Sequence, residues 1–425
     1  MVRRETGSDD PDRRRSGSAS GGKSARSAGE ENTGSGGTIP CRANRAGEIK
    51  TEKMKMKKTL WSFCAAVSAL LAVGCGEKAQ DVRDAEGFPA AQELTADSIA
   101  IDEVLQPQWG GVYGDYAVLI SPKTSKVVWR YRLPEWTLVD SSLVMGGGPD
   151  DLQYAFLQGS NGADEAFWIS EPIKHALLQY AGGPDGKLRK VRSVANETPL
   201  SVYFGQVMND RVVINDRRAH DFDMGSAEGV ETYLYSSSLE DGRFRVMDSV
   251  LCHTVSRVQV KKEGEMTYVS TWTYNNPTYR CWGDRLAVWY GDTENMLVYR
   301  VDDAGKMTLE ATYGDTLALA GVREVDMENI QYGQAYPPRF VAATQKHLYF
   351  QKLTLDRPLS QKPDEPFQVQ EHEILVYDWA MNPVAKFRLD RLSNDRAYVD
   401  ETRGRIYTYD PNEDFEQVYV YRYDL

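Results

Sequence analysis

The sequence predicts an all-β fold, a six-bladed β-propeller of four-stranded antiparallel blades, preceded by a disordered tail and a signal peptide. Three observations carry that expectation. From about residue 98 onward, apolar and polar residues alternate with period two and with almost no helical period. That part is rich in Tyr, Val and Trp and is punctuated by Gly and Asp, and the mean hydropathy of the chain is −0.52, as half-buried strands with polar turns require. A two-hairpin pattern also returns about every 60 residues, and repetition at that period is the signature of blades arranged in a ring.

Residues 1–53 are rich in Arg, Ser and Gly, contain Arg13-Arg14-Arg15 and have almost no large apolar side chains. They cannot bury enough surface to offset the entropy of ordering, so they read as disordered or as a non-native upstream extension. A basic nucleic-acid-binding arm is the alternative, set aside because the next segment directs the chain out of the cytoplasm. A secretion signal normally begins a chain, so translation is expected to start at Met54 or Met56. Residues 54–74 read as that signal. Lys55, Lys57 and Lys58 form its positive start, and residues 60–73 form an apolar stretch too short to span a bilayer core of about 30 Å.

The signal ends in Leu71-Ala72-Val73-Gly74-Cys75. This resembles the lipobox of bacterial lipoproteins, in which a small residue precedes a cysteine that is lipidated and left as the mature N-terminus. The resemblance implies lipidation of Cys75 and, with Gly76 rather than Asp in second place, retention at the outer membrane. Each buried methylene of an acyl chain contributes about 0.8 kcal/mol, so a multiply acylated cysteine anchors firmly. Residues 75–97 are polar and are expected to form a lipidated tether.

The whole chain carries −12. Residues 1–53 hold 11 basic and 8 acidic residues and the signal adds three lysines, so residues 76–425 carry −18. An acidic ectodomain is a poor partner for nucleic acid or for anionic lipid. Of the five cysteines only Cys252 and Cys281 fall in the globular part. They either pair in an oxidising compartment or remain two small buried thiols, and spacing does not decide between these. No second ligand pair accompanies Cys252-His253, which counts against zinc.

Each repeat is justified by two hairpin motifs. One carries a tyrosine: Leu177-Leu178-Gln179-Tyr180, Tyr233-Leu234-Tyr235, Leu297-Val298-Tyr299, Leu375-Val376-Tyr377 and Tyr419-Val420-Tyr421, followed by Gly- or Asp-containing turns and return strands. Residues 116–133 are taken as a sixth member. Before each tyrosine hairpin lies a polar turn followed by alternating apolar residues, as in Gly283-Asp284-Arg285-Leu286-Ala287-Val288-Trp289. The last strand, from Gln417, lacks a return arm, and a strand around Ser98 to Leu105 is expected to complete its blade and close the ring. Residues 98–425 are therefore read as the propeller. The blade pattern, the leader and Gly146-Gly147-Gly148-Pro149-Asp150-Asp151-Leu152, close to the G-x-G-P-x-E-F turn of NHL-type repeats, together resemble the TolB-like six-bladed β-propeller lipoproteins of Gram-negative bacteria. The resemblance implies a fold and an envelope location more than a reaction.

The sequence holds no G-x-S-x-G elbow, H-E-x-x-H pair, P-loop or paired CxxC in this region. No cofactor and no metal are expected. Residues 410–414 have calcium-loop spacing at three positions, but Phe415 stands where Gly is needed, so they read as a solvated loop. The turns from second to third strand share a propeller face with the connections between blades. Two such turns are long. Residues 215–230 contain Arg217, Arg218, His220, Asp221 and Asp223, and residues 352–372 contain Asp356 and Arg357. Between blades, Trp136, Tyr203, Tyr274, Tyr332, Tyr336 and Arg339 are assigned to the same face. Rings stack on flat ligand faces and guanidinium forks bind carboxylates, and long loops are where scaffolds carry function. The expected function is a non-catalytic binding or scaffold module for a protein or glycan. The alternative is a propeller enzyme, a lyase or hydrolase acting on an extracellular polymer through an Asp or His with an Arg.

Overall fold

The structure is a computed structural model that describes residues 84–425, except 102, 161–164, 218–230, 264–265, 327–328, 331–332, 336, 359–367, 393–395 and 410–416; it does not describe the side chains of 109, 160, 217 and 257–272. The described chain forms the expected ring of six blades. From inner to outer strand, blade 1 is Trp109–Tyr113, Tyr116–Ile120, Val128–Arg132 and Thr137–Ser142. Blade 2 is Phe156–Leu157, Phe167–Glu171, Ala176–Gly182 and Leu188–Ala195. Blade 3 is Gly205–Met208, Arg211–Arg217, Thr232–Ser238 and Arg245–Leu251, with Gly159–Ser160 added parallel to its inner strand.

Blade 4 is Thr278–Trp282, Arg285–Tyr290, Asn295–Val301 and Met307–Tyr313; blade 5 is Arg339–Ala343, His347–Leu355, Val369–Asp378 and Pro383–Leu389. Blade 6 takes Arg396–Asp400, Arg405–Tyr409 and Gln417–Arg422 from the end of the chain and its outer strand, Asp97–Ala100, from the beginning. The two ends of the propeller are thus laced in one sheet, as the unreturned C-terminal strand predicts. One hairpin, Val255–Glu263 with Met266–Tyr274, stands between blades 3 and 4 and joins no blade sheet. Sequence reading did not separate it from the repeat.

The core is divided by seam. Each of the six hydrophobic clusters lies between two neighbouring blades, as where Val213 and Leu234 of blade 3 meet Cys281 and Leu286 of blade 4. Alternation explains this, because each strand of a blade sends successive side chains to opposite seams. Cys252 and Cys281 are unpaired thiols in the same seam, and burial pushes both up to about 12.

The recurring tyrosine has a geometric meaning. In blades 1, 2, 4 and 5 the pairing of third with outer strand slips by one residue immediately before Tyr131, Tyr180, Tyr299 and Tyr377. In blade 3 the slip follows Ser236, one residue after Tyr235. A bulge there sharpens the twist by which the outer strand wraps its blade. The counterpart in blade 1 is therefore Tyr131, and residues 116–133 are the second and third strands rather than a tyrosine hairpin. The shift also moves Trp136 from an inter-blade segment to the turn between third and outer strands, where it is 6 % exposed and packs on Tyr131 and Tyr407.

Residues 84–97, polar enough to read as tether, lie against the ring. Phe88 is fully buried in the seam of blades 4 and 5 beside Trp289 and Phe350. Lys386 pairs with Asp84 and Glu86, and Glu86 also with Lys352 at 2.6 Å. Gln92–Leu94 then runs parallel to the outer strand of blade 5 before the chain crosses to blade 6. A single aromatic in a polar segment gave no period to read, yet it is what fastens the segment.

Candidate functional site at the channel mouth

Each blade starts at its inner strand, so turns from first to second and from third to outer strand share one face. Turns from second to third strand and the connections between blades share the other, here called the loop face. The inner strands follow one another in ring order, with Gly159–Ser160 standing between those of blades 2 and 3, and bound a channel of about 1580 Å³.

At the loop-face mouth, where blades 2 and 3 meet, four rings form a shelf. Phe156 stacks at 6.0 Å on Tyr154 and meets Tyr203 and Phe204 edge-on at 5.3 and 5.2 Å. Tyr154, Tyr203 and Phe204 are 53, 48 and 53 % exposed, high for rings of this size. The shelf is pinned from below by buried polar groups. The Gln153 and Tyr154 amides donate to Glu171 Oε2 at 2.6 and 2.9 Å, and Glu171 is fully buried. Gln158 Nε2 donates to the Phe156 and Tyr203 carbonyls at 2.8 and 2.9 Å, tying the two shelf segments together. The Tyr279 hydroxyl donates to the Phe204 carbonyl at 2.8 Å and accepts from the Asn215 amide at 2.9 Å.

Across the mouth stand arginines on three consecutive inner strands, Arg280 of blade 4, Arg339 of blade 5 and Arg396 of blade 6, all lining the channel. Arg339 and Arg396 begin their strands and so sit at the loop-face end; Arg280 is the middle residue of its strand. Arg339 Nη1 lies 3.5 Å from Gln351 Oε1, and Arg396 Nη1 donates to the Gln108 carbonyl. Arg280 donates from Nε to the Val341 carbonyl at 3.0 Å and from Nη1 to the Tyr279 carbonyl at 2.8 Å. Burial lowers the pKa of Arg280, against which the neighbouring Tyr279, Cys281, Tyr398 and Tyr113 pull the other way. An arginine nevertheless stays charged at any physiological pH. The carboxylates that line this channel, Asp115, Asp400 and Glu401, belong to first-to-second-strand turns at the opposite end, where Arg403 pairs with Asp115 and Asp400.

Of the residues expected from sequence, Tyr203 and Arg339 come together on this channel. Arg217 ends a strand of blade 3, with its side chain outside the described residues. Cys75, Arg218, His220, Asp221, Asp223, Tyr332, Tyr336 and the loop 410–414 also lie outside them. Tyr274 lines a separate cavity of about 760 Å³ between blades 4 and 5, with Trp289, Asp292 and Tyr377. Burial raises the pKa of Asp292, partly offset by the Asn275 amide. Sequence reading missed Tyr154, Phe156, Phe204 and Arg280. The signal for Arg280 was a charged residue in mid-strand in Thr278-Tyr279-Arg280-Cys281-Trp282. The Gly-Pro turn found by resemblance is closed by its own aspartate, since the Gly148 amide donates to Asp151 Oδ2 at 2.8 Å. Among the described residues no group of three or more His, Cys, Asp or Glu is placed to hold a metal ion, and no helix is long and apolar enough to cross a membrane.

No family model matches the chain, and no curated protein matches it. Among solved structures it is similar to a member of the DUF4221 family from Bacteroides vulgatus, at 11 % identity over 78 % of this chain and 97 % of that one, with a TM-score of 0.49. It is also similar to a candidate exported protein from Bacteroides fragilis, at 10 % identity over 78 % and 96 %, with a TM-score of 0.43. A protein from Lactobacillus plantarum is similar at 11 % identity over 81 % and 83 %, with a TM-score of 0.36.

Proposed function

We propose that this chain is a TolB-like envelope lipoprotein, anchored through Cys75, whose propeller binds a glycan on its loop face without acting on it chemically. The observation that carries the reading is the aromatic shelf, three half-exposed rings on hydrogen-bonded backbone at the mouth of a channel that also holds guanidinium groups. Exposed ring faces stack on the C–H faces of sugars, and fixed rings lose little entropy when a ligand arrives. The described groups around the upper channel are guanidiniums, amides and phenols. The phenols of Tyr113 and Tyr279 are pushed well above their ordinary range by burial, so they donate hydrogen bonds and do not take protons at neutral pH. Such a lining recognises a ligand by hydrogen bonding and charge.

Calorimetry against a panel of envelope and extracellular polysaccharides tests the binding. The double variant Tyr203→Ala, Phe204→Ala is expected to weaken the glycan bound by the native protein at least about tenfold, or roughly 1.4 kcal/mol. Turnover of any polymer in the panel sinks the non-catalytic reading. Anchoring is tested separately: Cys75→Ser is expected to move the protein from the membrane to the soluble fraction and to abolish incorporation of labelled fatty acid.

A further inference from the structure

We infer that Arg280 is the base of a carboxylate subsite inside the channel, taking the acid group of a terminal uronic acid of the glycan; this deepens the binding reading above and rests on it. A guanidinium has five N–H donors. The described hydrogen bonds of Arg280 occupy two of them, and both go to backbone carbonyls. Those two bonds hold the plane of the group fixed and leave three N–H groups, two of them on Nη2, for a planar acceptor. None of the Arg280 nitrogens is sealed off without a partner, so the remaining donors open onto the channel.

Among the described residues Arg280 makes no ion pair. The titratable groups that act most on its charge are Tyr279, Cys281, Tyr398 and Tyr113, all neutral at physiological pH. Arg280 is partly exposed in the channel, so an incoming carboxylate meets it where water screens the attraction less than at the open surface. Depth selects the part of the ligand that reaches it. Arg280 lies two residues below the start of its strand, about 7 Å at the usual rise. A chain end fits that position, and the interior of a polymer crossing the mouth does not. Arg339 stands two residues, again about 7 Å, above the Val341 carbonyl that holds Arg280. It and Arg396 attract the acid group on its way in.

The test uses calorimetry of the full propeller with trigalacturonate and with the same trisaccharide after its carboxylates are reduced to alcohols. Native protein is expected to bind the acid form at least about 30-fold tighter, and Arg280→Gln to remove that preference while leaving the reduced form bound as before. Arg280→Lys, which keeps the charge but not the fork, is expected to recover only part of it. Thermal melts of both variants check the fold, and if Arg280→Gln does not fold, Arg280→Lys is scored on the same ratio. If Arg280→Gln keeps the full preference while the shelf variant loses binding, the subsite is wrong and the glycan reading stands. Native protein that binds neither form overturns both. Preference for a peptide ending in a free carboxylate, lost in Arg280→Gln, assigns the subsite to another ligand and overturns the uronate.

Discussion

A carboxylate that makes no contact with ligand space decides the shape of the shelf. Glu171 is fully buried and accepts from two successive amides, Gln153 and Tyr154, which present the first ring of the platform. Its removal leaves two partly buried N–H groups without an acceptor, at about 1–2 kcal/mol each. Glu171→Ala is therefore expected to lower the free energy of unfolding by roughly 2–4 kcal/mol in urea. It should also weaken the ligand of the shelf, whereas Glu171→Gln, which keeps one acceptor oxygen, should recover part of both. Unchanged stability in Glu171→Ala would refute the pinning role. This residue was not legible in advance: a glutamate at the end of a strand reads as solvated until the loop that folds over it is known.

The strands themselves were legible because each alternates, and the order of the repeat followed from the tyrosines. Alternation does not say which strands pair. Blade 1 has aromatic residues at both Tyr116 and Tyr131, and sequence alone could not tell which one follows a bulge. The hairpin of Val255–Glu263 and Met266–Tyr274 alternates like any blade strand, and only pairing shows that it belongs to no blade. Membership of the channel is likewise a property of ring closure, which brings Arg280, Arg339 and Arg396 together from positions more than 50 residues apart. The turn after Asn295–Val301 belongs to the face opposite the shelf. There Asp302 Oδ1 accepts from the Ala304 and Lys306 amides, both at 2.9 Å, and Gly305 takes a φ of 79° that a side chain would strain. Asp302→Ala is expected to cost about 1 kcal/mol of stability and to leave glycan affinity unchanged; a loss of affinity would show that the faces are assigned the wrong way round.

For the whole molecule, the N-terminal strap is held to blade 5 by a cluster of opposite charges. The Lys386 hydrogen bond comes first among the causes that lower the pKa of Asp84. For Glu86, burial opposes ionisation, but Lys352 and Lys386 outweigh it and its pKa is also lowered. Burial opposes the charge on Lys386 too, and is outweighed by Asp84 and Glu86, so its pKa is raised. Depressed carboxylates contribute stability that is present above their unfolded pKa and lost as pH falls through the folded one; a raised lysine loses its share only in strong alkali. The clamp is thus complete at neutrality and is expected to release in acid below the ordinary carboxylate range. Hydrogen exchange of the amides at 84–96 should accelerate there before that of the blade strands, and Glu86→Gln should bring the release to higher pH. Exchange that rises in step with the blades would disprove a separate release. The same strap is a load path. Tension applied at residue 84 would reach Gln92–Leu94 at the rim of blade 5 and then Asp97–Ala100 at the rim of blade 6. Under such a pull the strain would fall first on the rim of the ring, away from the inner strands that bound the channel.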